Sequence, residues 1–376
     1  CAGECFGDHW ESDCGCVAAD NSGDDCDDCA SVPNGDSYED ECGVCDNDAS
    51  NDNDDMDCAG ECFGSAYEDD CGTCDDNEYN DCELYSITLD GLDLVSFYAL
   101  PEDNSVGNVL GGIEASNPGV LGEGTSANFV DGQWLGILLS IEREDGYWIK
   151  VSGETVELEV EGLPTDPNTE YSLHSGSNLV SYPFADSASI TQTIPDNAQS
   201  VLIGIMGEGV SAMNSESGWV GSLVNLLGTK GYWFITSEDV DFTYNPPVGG
   251  MARMVSPVRA VPSEYSYRQS TQQAFYFVEN ANIGGEPLEN EDLIIAYNGN
   301  VIIGARYWYG ETTDIPAMGA DADPKYAGYG QSGDHISFKV LDASTNTLVD
   351  MDVEGSTTWQ NLGMSVIQLT NKVIPE

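Results

Sequence analysis

Runs of aspartate and asparagine at short spacing are the residues of this chain best placed to do chemistry. The longest is Asp46-Asn47-Asp48-Ala49-Ser50-Asn51-Asp52-Asn53-Asp54-Asp55-Met56-Asp57. Short side chains of this kind bring carboxylates and amides to one point, and backbone carbonyls can fill the remaining positions. That donor set suits calcium, a hard cation taking roughly six to eight oxygens, better than magnesium, which prefers a rigid octahedron and keeps its waters. Cysteines interleave with the runs. All 13 lie between Cys1 and Cys82, in a stretch without lysine or arginine, and the first basic residue is Arg143. Of the 67 acidic residues, 28 fall within positions 1–83, about half of the net charge of −57. Such a segment has little apolar surface to bury and its carboxylates repel one another, so disulfides and divalent cations must supply its order.

The cysteine spacings repeat. Cys1-Ala2-Gly3-Glu4-Cys5-Phe6-Gly7 recurs as Cys58-Ala59-Gly60-Glu61-Cys62-Phe63-Gly64. Asp40-Glu41-Cys42-Gly43-Val44-Cys45 parallels Asp69-Asp70-Cys71-Gly72-Thr73-Cys74, while the first copy departs with Cys14-Gly15-Cys16. Three sets of four emerge: Cys1, Cys5, Cys14 and Cys16; Cys26, Cys29, Cys42 and Cys45; Cys58, Cys62, Cys71 and Cys74. Their pairing is open, since even one set of four permits several connectivities. Cys82 is left over. In a secreted protein an odd thiol suggests an intermolecular bridge or a partner outside this numbering, with a free or mispaired Cys82 as the plainer alternative. Two other readings of the segment stand beside calcium. An acidic run is commonly a solvated, disordered linker, and the Cys26-x2-Cys29 and Cys42-x2-Cys45 spacings resemble zinc ribbons.

On these motifs the segment resembles thrombospondin type 3-like calcium-binding repeats, as in the Asp-Cys-Ala-Gly-x-Cys arrays of large secreted bacterial surface proteins. The resemblance covers about a fifth of the chain. It implies an extended, disulfide-stapled rod whose Asp and Asn side chains hold a row of calcium ions. It also assigns metal roles to Asp46, Asp48, Asp52, Asp54 and Asp57, and to Asp20, Asp24, Asp75, Asn77 and Asp81.

The elements behind this segment are β-rich. A second, longer repeat keeps one constant offset across four separate motifs. Leu94-Val95-Ser96 returns as Leu179-Val180-Ser181, and Gly122-Glu123-Gly124 as Gly207-Glu208-Gly209. Trp134 matches Trp219, and Gly146-Tyr147-Trp148 matches Gly231-Tyr232-Trp233. Thr155–Val160 alternates apolar and acidic residues and Tyr232–Thr236 is aromatic and β-branched, as in strands. Gly146 and Gly231 are expected in tight turns that feed aromatic strands, and Gly221–Leu227 could form a short helix. Farther on come Gln273–Val278, Leu293–Tyr297 with the hairpin signal Asn298-Gly299, Val301–Ala305, Ile336–Leu341 and Met364–Leu369. The expected architecture is mainly β. Residues 1–83 form the calcium-binding repeats, 84–163 and 164–246 tandem copies of one β-domain, 247–263 a linker or docking strand, and 264–376 a β-sandwich. The last part resembles β modules that accompany such cysteine repeats in proteins exported by the type IX route. These often end in a cleaved sorting domain.

No catalytic constellation accompanies this architecture, and the chain reads as a non-enzyme. His9, His174 and His335 are isolated, and there is no His-Glu-x-x-His, Gly-x-Ser-x-Gly or Walker-type loop. The region from Asp314 to Asp323 reads as a surface turn, with a ligand or calcium loop as the alternative. The charge excludes nucleic-acid binding. The longest apolar stretches, such as Trp134–Ile141, are too short to span a bilayer. Cysteine density points to an oxidising, extracellular or cell-surface location, with Cys1 just after processing of, or within, a longer precursor. The functional expectation is a secreted, calcium-stabilised structural subunit that polymerises with its own kind into a filament or appendage. The alternative is an adhesive module binding surface polysaccharide by stacking on Trp134, Trp219, Trp308 or Trp359.

Overall fold

The computed structural model describes residues 8–69, 71–77, 81–247, 258–310 and 312–371. The chain is mainly β and divides into two units, Cys1–Cys82 and Glu83–Glu376. In the first unit the only ladders among the described residues are very short. Trp10–Ser12 pairs with Gly15–Val17, Tyr38–Glu39 with Cys45–Asp46, and Tyr67–Glu68 with Cys74–Asp75. Nearly every side chain there is exposed or half-buried, as expected of a stretch with little apolar content.

In the second unit the longer sequence repeat reappears as topology. One five-stranded antiparallel sheet runs Gln133–Gly136, Thr125–Val130, Gly119–Gly122, Tyr147–Lys150, Leu92–Val95. The other runs Gly218–Val220, Ser211–Ser215, Leu202–Met206, Tyr232–Thr236, Gly176–Val180 in the same order. A smaller ladder completes each copy, Glu83–Leu89 with Val156–Pro164 and Tyr171–Leu173 with Val240–Phe242. Period-two patterning explains the strands. In Val156–Pro164, Leu158 and Val160 are buried while Glu157, Glu159 and Glu161 face water. Gly221–Leu227 is not helical; it holds the two-residue strand Asn225–Leu226, which pairs with Ala188–Ser189. The Gly221 backbone, at φ +126°, lies outside any helical conformation.

The repeated motifs join the copies to each other. Gly146 N–H donates to Leu179 O (3.1 Å) and Gly231 N–H to Leu94 O (3.2 Å). Ser181 N–H donates to Glu144 O (2.9 Å) and Ser96 N–H to Thr229 O (3.3 Å). The glutamates of the two Gly-Glu-Gly motifs cross over as well. Glu123 Oε2 accepts Leu179 N–H (2.9 Å), and Glu208 Oε2 accepts Leu94 N–H (3.3 Å). Each of these contacts has its counterpart at the equivalent position of the other copy, so the copies form a pseudo-twofold pair. Its apolar centre holds Leu92, Leu94, Leu179, Trp148 and Trp233. This explains Gly146 and Gly231 differently from the expected turn, since neither has a positive φ. A Cβ on Gly231 would lie 2.6 Å from Val95 O and 3.2 Å from Gly146 Cα, so close approach of two backbones demands glycine.

The pair is symmetric in backbone but not in charge. Lys230 Nζ reaches Glu208 (3.2 Å) and Asp93 (3.9 Å). Its counterpart is Asp145, where partial burial, reinforced by Glu144, Glu142 and Glu123, pushes the carboxyl up to about 6.

The third part of this unit is sandwich-like and built from one eight-stranded sheet. Its strands run in the order Glu286–Pro287, Gln273–Ile283, Met364–Asn371, Thr347–Gly355, Ser337–Asp342, Leu293–Asn298, Val301–Tyr307, with Thr313–Met318 also paired to Gln273–Ile283. Thr347–Gly355 changes partner along its length, Thr347–Met351 pairing with Ser337–Asp342 and Asp352–Gly355 with Met364–Asn371. The Asn298-Gly299 hairpin forms, with Gly299 at φ +59°. Residues 248–257 of the expected linker lie outside the described residues, and 258–262 carry no strand. Asp314 is not in a turn. It is the second residue of the strand Thr313–Met318 and is fully buried. Its carboxylate accepts Ser211 N–H (3.1 Å) and Oγ–H (2.9 Å), Ser222 N–H (2.9 Å) and Oγ–H (2.7 Å), and the Tyr309 hydroxyl (3.1 Å). Arg306 Nη2 lies 3.6 Å away, also buried. One carboxylate thus pins the second copy to the sandwich.

Two outcomes follow from these contacts. Asp314→Ala strands the Arg306 charge and the serine donors and should lower unfolding free energy by about 3–5 kcal/mol in chemical denaturation; a loss below about 1 kcal/mol would contradict the pinning role. For Asp145, a carboxyl raised above its ordinary 3.8 favours the folded state fully below that value and loses this as pH rises through about 6. Asp145→Asn should therefore raise the thermal midpoint at pH 7–8 and make little difference near pH 4. Solvent at the exposed carboxylate trims the effect, so its sign and pH dependence are the test. An equal effect at both pH values would refute it.

Candidate metal centre

All cysteines from Cys14 to Cys82 are disulfide-bonded. The pairs are Cys14–Cys26, Cys29–Cys45, Cys42–Cys62, Cys58–Cys74 and Cys71–Cys82. Cys16 is bonded as well, and Cys1 and Cys5 lie outside the described residues. From Cys29 onward the loops overlap, each bridge opening inside the loop closed by the one before. The three sets of four are therefore laced together rather than closed individually. Cys82 is not left over for a neighbouring molecule: it is buried and paired with Cys71. The zinc reading fails with it. Cys26, Cys29, Cys42 and Cys45 are all in disulfides, and a disulfide sulfur carries no thiolate to ligate zinc.

The lacing keeps one register, in which Cys29–Cys45 returns as Cys58–Cys74, and four aspartates set it. Asp28 Oδ1 accepts the N–H groups of Ala30 (3.0 Å) and Val32 (2.9 Å), and its Oδ2 that of Ser37 (3.1 Å). Asp57 does the same with Ala59 (3.0 Å), Glu61 (2.9 Å) and Ala66 (3.2 Å). Asp40 accepts from Cys42 (2.9 Å), Val44 (2.8 Å) and Asn53 (3.0 Å), and Asp69 from Thr73 (2.7 Å) and Cys82 (3.2 Å). These Asx turns fold the chain back over each cysteine. The donated N–H groups, from Val32, Asn53 and Glu61 foremost, hold the Asp28, Asp40 and Asp57 carboxyls below the ordinary range. Asp57 was expected to bind metal; its oxygens accept three backbone N–H groups, as those of Asp28 do. Sequence reasoning passed over Asp28, Asp40 and Asp69. The signal was an aspartate one or two residues before a repeating cysteine.

The other expected ligands occupy matching places. In the same register Asp46, Asp48 and Asp52 correspond to Asp75, Asn77 and Asp81. Asp46 lies opposite Tyr38 in one ladder and Asp75 opposite Tyr67 in the next. The Tyr38 hydroxyl donates to Asp52 (2.9 Å), and the Tyr67 hydroxyl to Asp81. Hydrogen bonding to Asp52, with the nearby charges of Asp52, Asp46 and Asp48, raises the Tyr38 pKa. Asp46 Oδ1 accepts Asp48 N–H (2.9 Å) and its Oδ2 the Asn51 amide (2.8 Å), while Asp48 accepts Ser50 N–H (3.1 Å). Asp75 accepts Asn77 N–H (2.9 Å) as Asp46 does that of Asp48. Asp24 accepts the Ser22 hydroxyl, whereas Asp20 and Asp54 are exposed in turns outside this register.

This arrangement offers oxygen donors only, which fits a hard cation. Yet no three carboxylates already converge among the described residues. The clusters of metal-ligating atoms there are Cys14, Cys26 and Asp27, and Asp69, Cys71 and Cys82, each built on a disulfide. A cation would have to draw Asp46, Asp48 and Asp52 together, with carbonyl oxygens completing the shell.

No protein-family model, curated protein or solved structure matches this chain. The sugar-stacking candidates do not form a platform. Trp308 and Trp359 are buried in the sandwich core. Trp134 and Trp219 pack on the cores of their copies, with indole N–H groups bonded to the equivalent residues Glu114 (3.2 Å) and Gln199 (3.0 Å).

The lowered carboxyl pKa values have a consequence for acid. A depressed carboxyl stabilises the fold above its unfolded value, about 4, and loses this as pH falls through the folded value. Amide exchange at Val32, Val44 and Glu61 should therefore lose protection on acidification, and Asp40→Ala should remove protection at Val44 and Asn53 even at neutral pH. Unchanged protection at Val44 in that variant would disprove the Asx-turn role.

Proposed function

We propose that the chain is a calcium-stabilised, disulfide-laced structural protein of the cell exterior. Its acidic repeats bind several calcium ions, and its β-domains take part in assembly with other copies into a filament or appendage. The observation that carries this reading is the register of the first unit, in which bridge, Asx turn, Tyr–Asp pair and oxygen-rich turn recur together. A repeated scaffold that spends its cysteines on lacing and presents only oxygen ligands is suited to mechanical order. Five disulfides fit a secreted protein, and no helix among the described residues is long and apolar enough to cross a membrane. No exposed tryptophan platform among the described residues favours the polysaccharide alternative.

In this reading calcium settles among Asp46, Asp48 and Asp52 and, one register on, among Asp75, Asn77 and Asp81. Calorimetry on the oxidised chain should give several sites at about 10⁻⁴–10⁻³ M. Calcium should also cancel the charge that raises Tyr38. Tyrosinate titration compared between wild type and Tyr38→Phe should show the Tyr38 pKa moving down towards its ordinary value. Absence of calcium heat together with an unmoved Tyr38 would sink the proposal.

A further inference from the structure

The contact between the two β copies holds three charged groups where an ion pair needs two. Asp93 comes from the first copy, and Glu208 and Lys230 come from the second. Lys230 Nζ lies 3.2 Å from Glu208 Oε2 and 3.9 Å from Asp93 Oδ1. Backbone groups fix each member. Val95 and Lys230 form an antiparallel bridge, and Ser96 Oγ–H donates to Lys230 O (2.8 Å). Leu94 N–H donates to Glu208 Oε2 (3.3 Å), and Asp90 N–H to Asp93 Oδ2 (2.7 Å), which leaves Asp93 Oδ1 for the lysine. Asp93 is buried, flanked by Leu92 and Leu94 of the apolar centre between the copies, and the other two are half-buried.

The second carboxyl is not needed for charge, and its surroundings suit it to another task. Burial raises the Glu208 carboxyl above its ordinary range against the pull of Lys230, and Asp93 adds to the rise. A carboxyl so raised, in hydrogen-bond contact with an amine, is placed to carry protons.

We propose that Lys230 and Asp93 condense to an intramolecular amide that joins the two β copies covalently. The Lys230 ammonium brings three protons. One stays on the amide nitrogen, and the other two pass through the Glu208 carboxylate to Asp93 Oδ1, which leaves as water. The Nζ–Cγ bond forms, the Cγ–Oδ1 bond breaks, nothing is oxidised or reduced, and Glu208 ends as it began. Charge that develops on Asp93 Oδ2 is met by the Asp90 N–H. Free amines and carboxylates scarcely condense in water, but a fold can hold them at effective concentrations of about 10⁵ M or more. The product also removes an ion pair from a partly dry site. At the equivalent positions the pseudo-symmetric site has Glu123, Asn178 and Asp145, with no amine, so only one of the two junctions can close in this way. The inference rests neither on calcium nor on assembly with other copies.

The test is the mass of the full folded chain, read after reduction and denaturation so that no disulfide contributes. Wild type should weigh one water less than its sequence, and digestion should yield the Asp93 and Lys230 peptides joined. Lys230→Arg keeps the positive charge but removes the nucleophile, and should restore the sequence mass. Glu208→Gln should leave Lys230 and Asp93 unjoined, with far-UV circular dichroism like that of wild type showing that each variant is folded. The joined peptides are read in wild type itself, so a variant that fails to fold does not weaken the test. Wild type at its sequence mass overturns the proposal. So does a lost water that persists in Lys230→Arg, since a succinimide at Asp145-Gly146 would have the same mass. Joined peptides in Glu208→Gln overturn the proton-carrying role. Calorimetry separates the ideas: a chain at its sequence mass that binds calcium sinks this bond alone, and a joined chain without calcium heat sinks the cation reading alone.

Discussion

With 67 acidic residues against ten basic ones, a carboxylate in this chain seldom has a cation to face, so folding depends on where else its charge is accepted. The recurrent answer is the backbone N–H. In the first unit Asp28, Asp40, Asp57 and Asp69 each take two or three N–H groups. In the second, Glu123 and Glu208 take one from the opposite copy, and Asp292 takes those of Glu289 (2.8 Å) and Ala343 (2.9 Å). Asp314 does so between the second copy and the sandwich. Charge-assisted bonds of this kind are the stronger class of hydrogen bond. They need only a turn or strand end that leaves donors unpaired, which a loop-rich acidic chain has in plenty.

Single carboxyls respond to acid in opposite senses, and Asp103, Asp323 and Asp342 of the second unit are lowered like those of the first. Carboxyls depressed by N–H donors favour the folded first unit at higher pH. Asp145, raised by burial and by neighbouring acids, favours the folded second unit at lower pH. Asp145 marks one of the positions at which the two copies diverged. Lys230 neutralises Glu208 and Asp93, whereas Asp145 adds to the charge around Glu123. Backbone symmetry was kept, because Gly146 and Gly231 meet at a distance only glycine permits. The side chains around them were free to differ.

The legibility of this structure in its sequence follows the same division. Both repeats were visible, and so were the β class and the Asn298-Gly299 hairpin, because each rests on local pattern. What the repeated motifs touch was not. Gly-Glu-Gly and Leu-Val-Ser look alike whether they contact their own copy or the other, so their role in joining copies needed coordinates. Connectivity was hidden for a similar reason. Spacing put Cys82 outside the sets of four, but the Asp69 turn brings Cys82 N–H to its carboxylate and the thiol to Cys71. The turn that Asp57 forms was not foreseen, because a carboxylate before a cysteine can serve a turn as well as a cation. Asp314 read as part of a surface turn because no sequence window shows that Ser211 and Ser222 will come to it.

Charge also limits how such a chain can associate. Backbone donors neutralise carboxylates one at a time inside a fold, but they are not available on the surface where a second molecule would approach. Two solutions remain for a contact between copies of net charge −57. Cations can be shared between acidic faces, or the contact can be placed where acids are missing. The first demands oxygen ligands with capacity to spare, and Asp46 and Asp48 take one backbone N–H each where Asp28, Asp40 and Asp57 take three. The second demands a stretch such as Ser126–Ser140, with a single charge and several exposed aliphatic side chains.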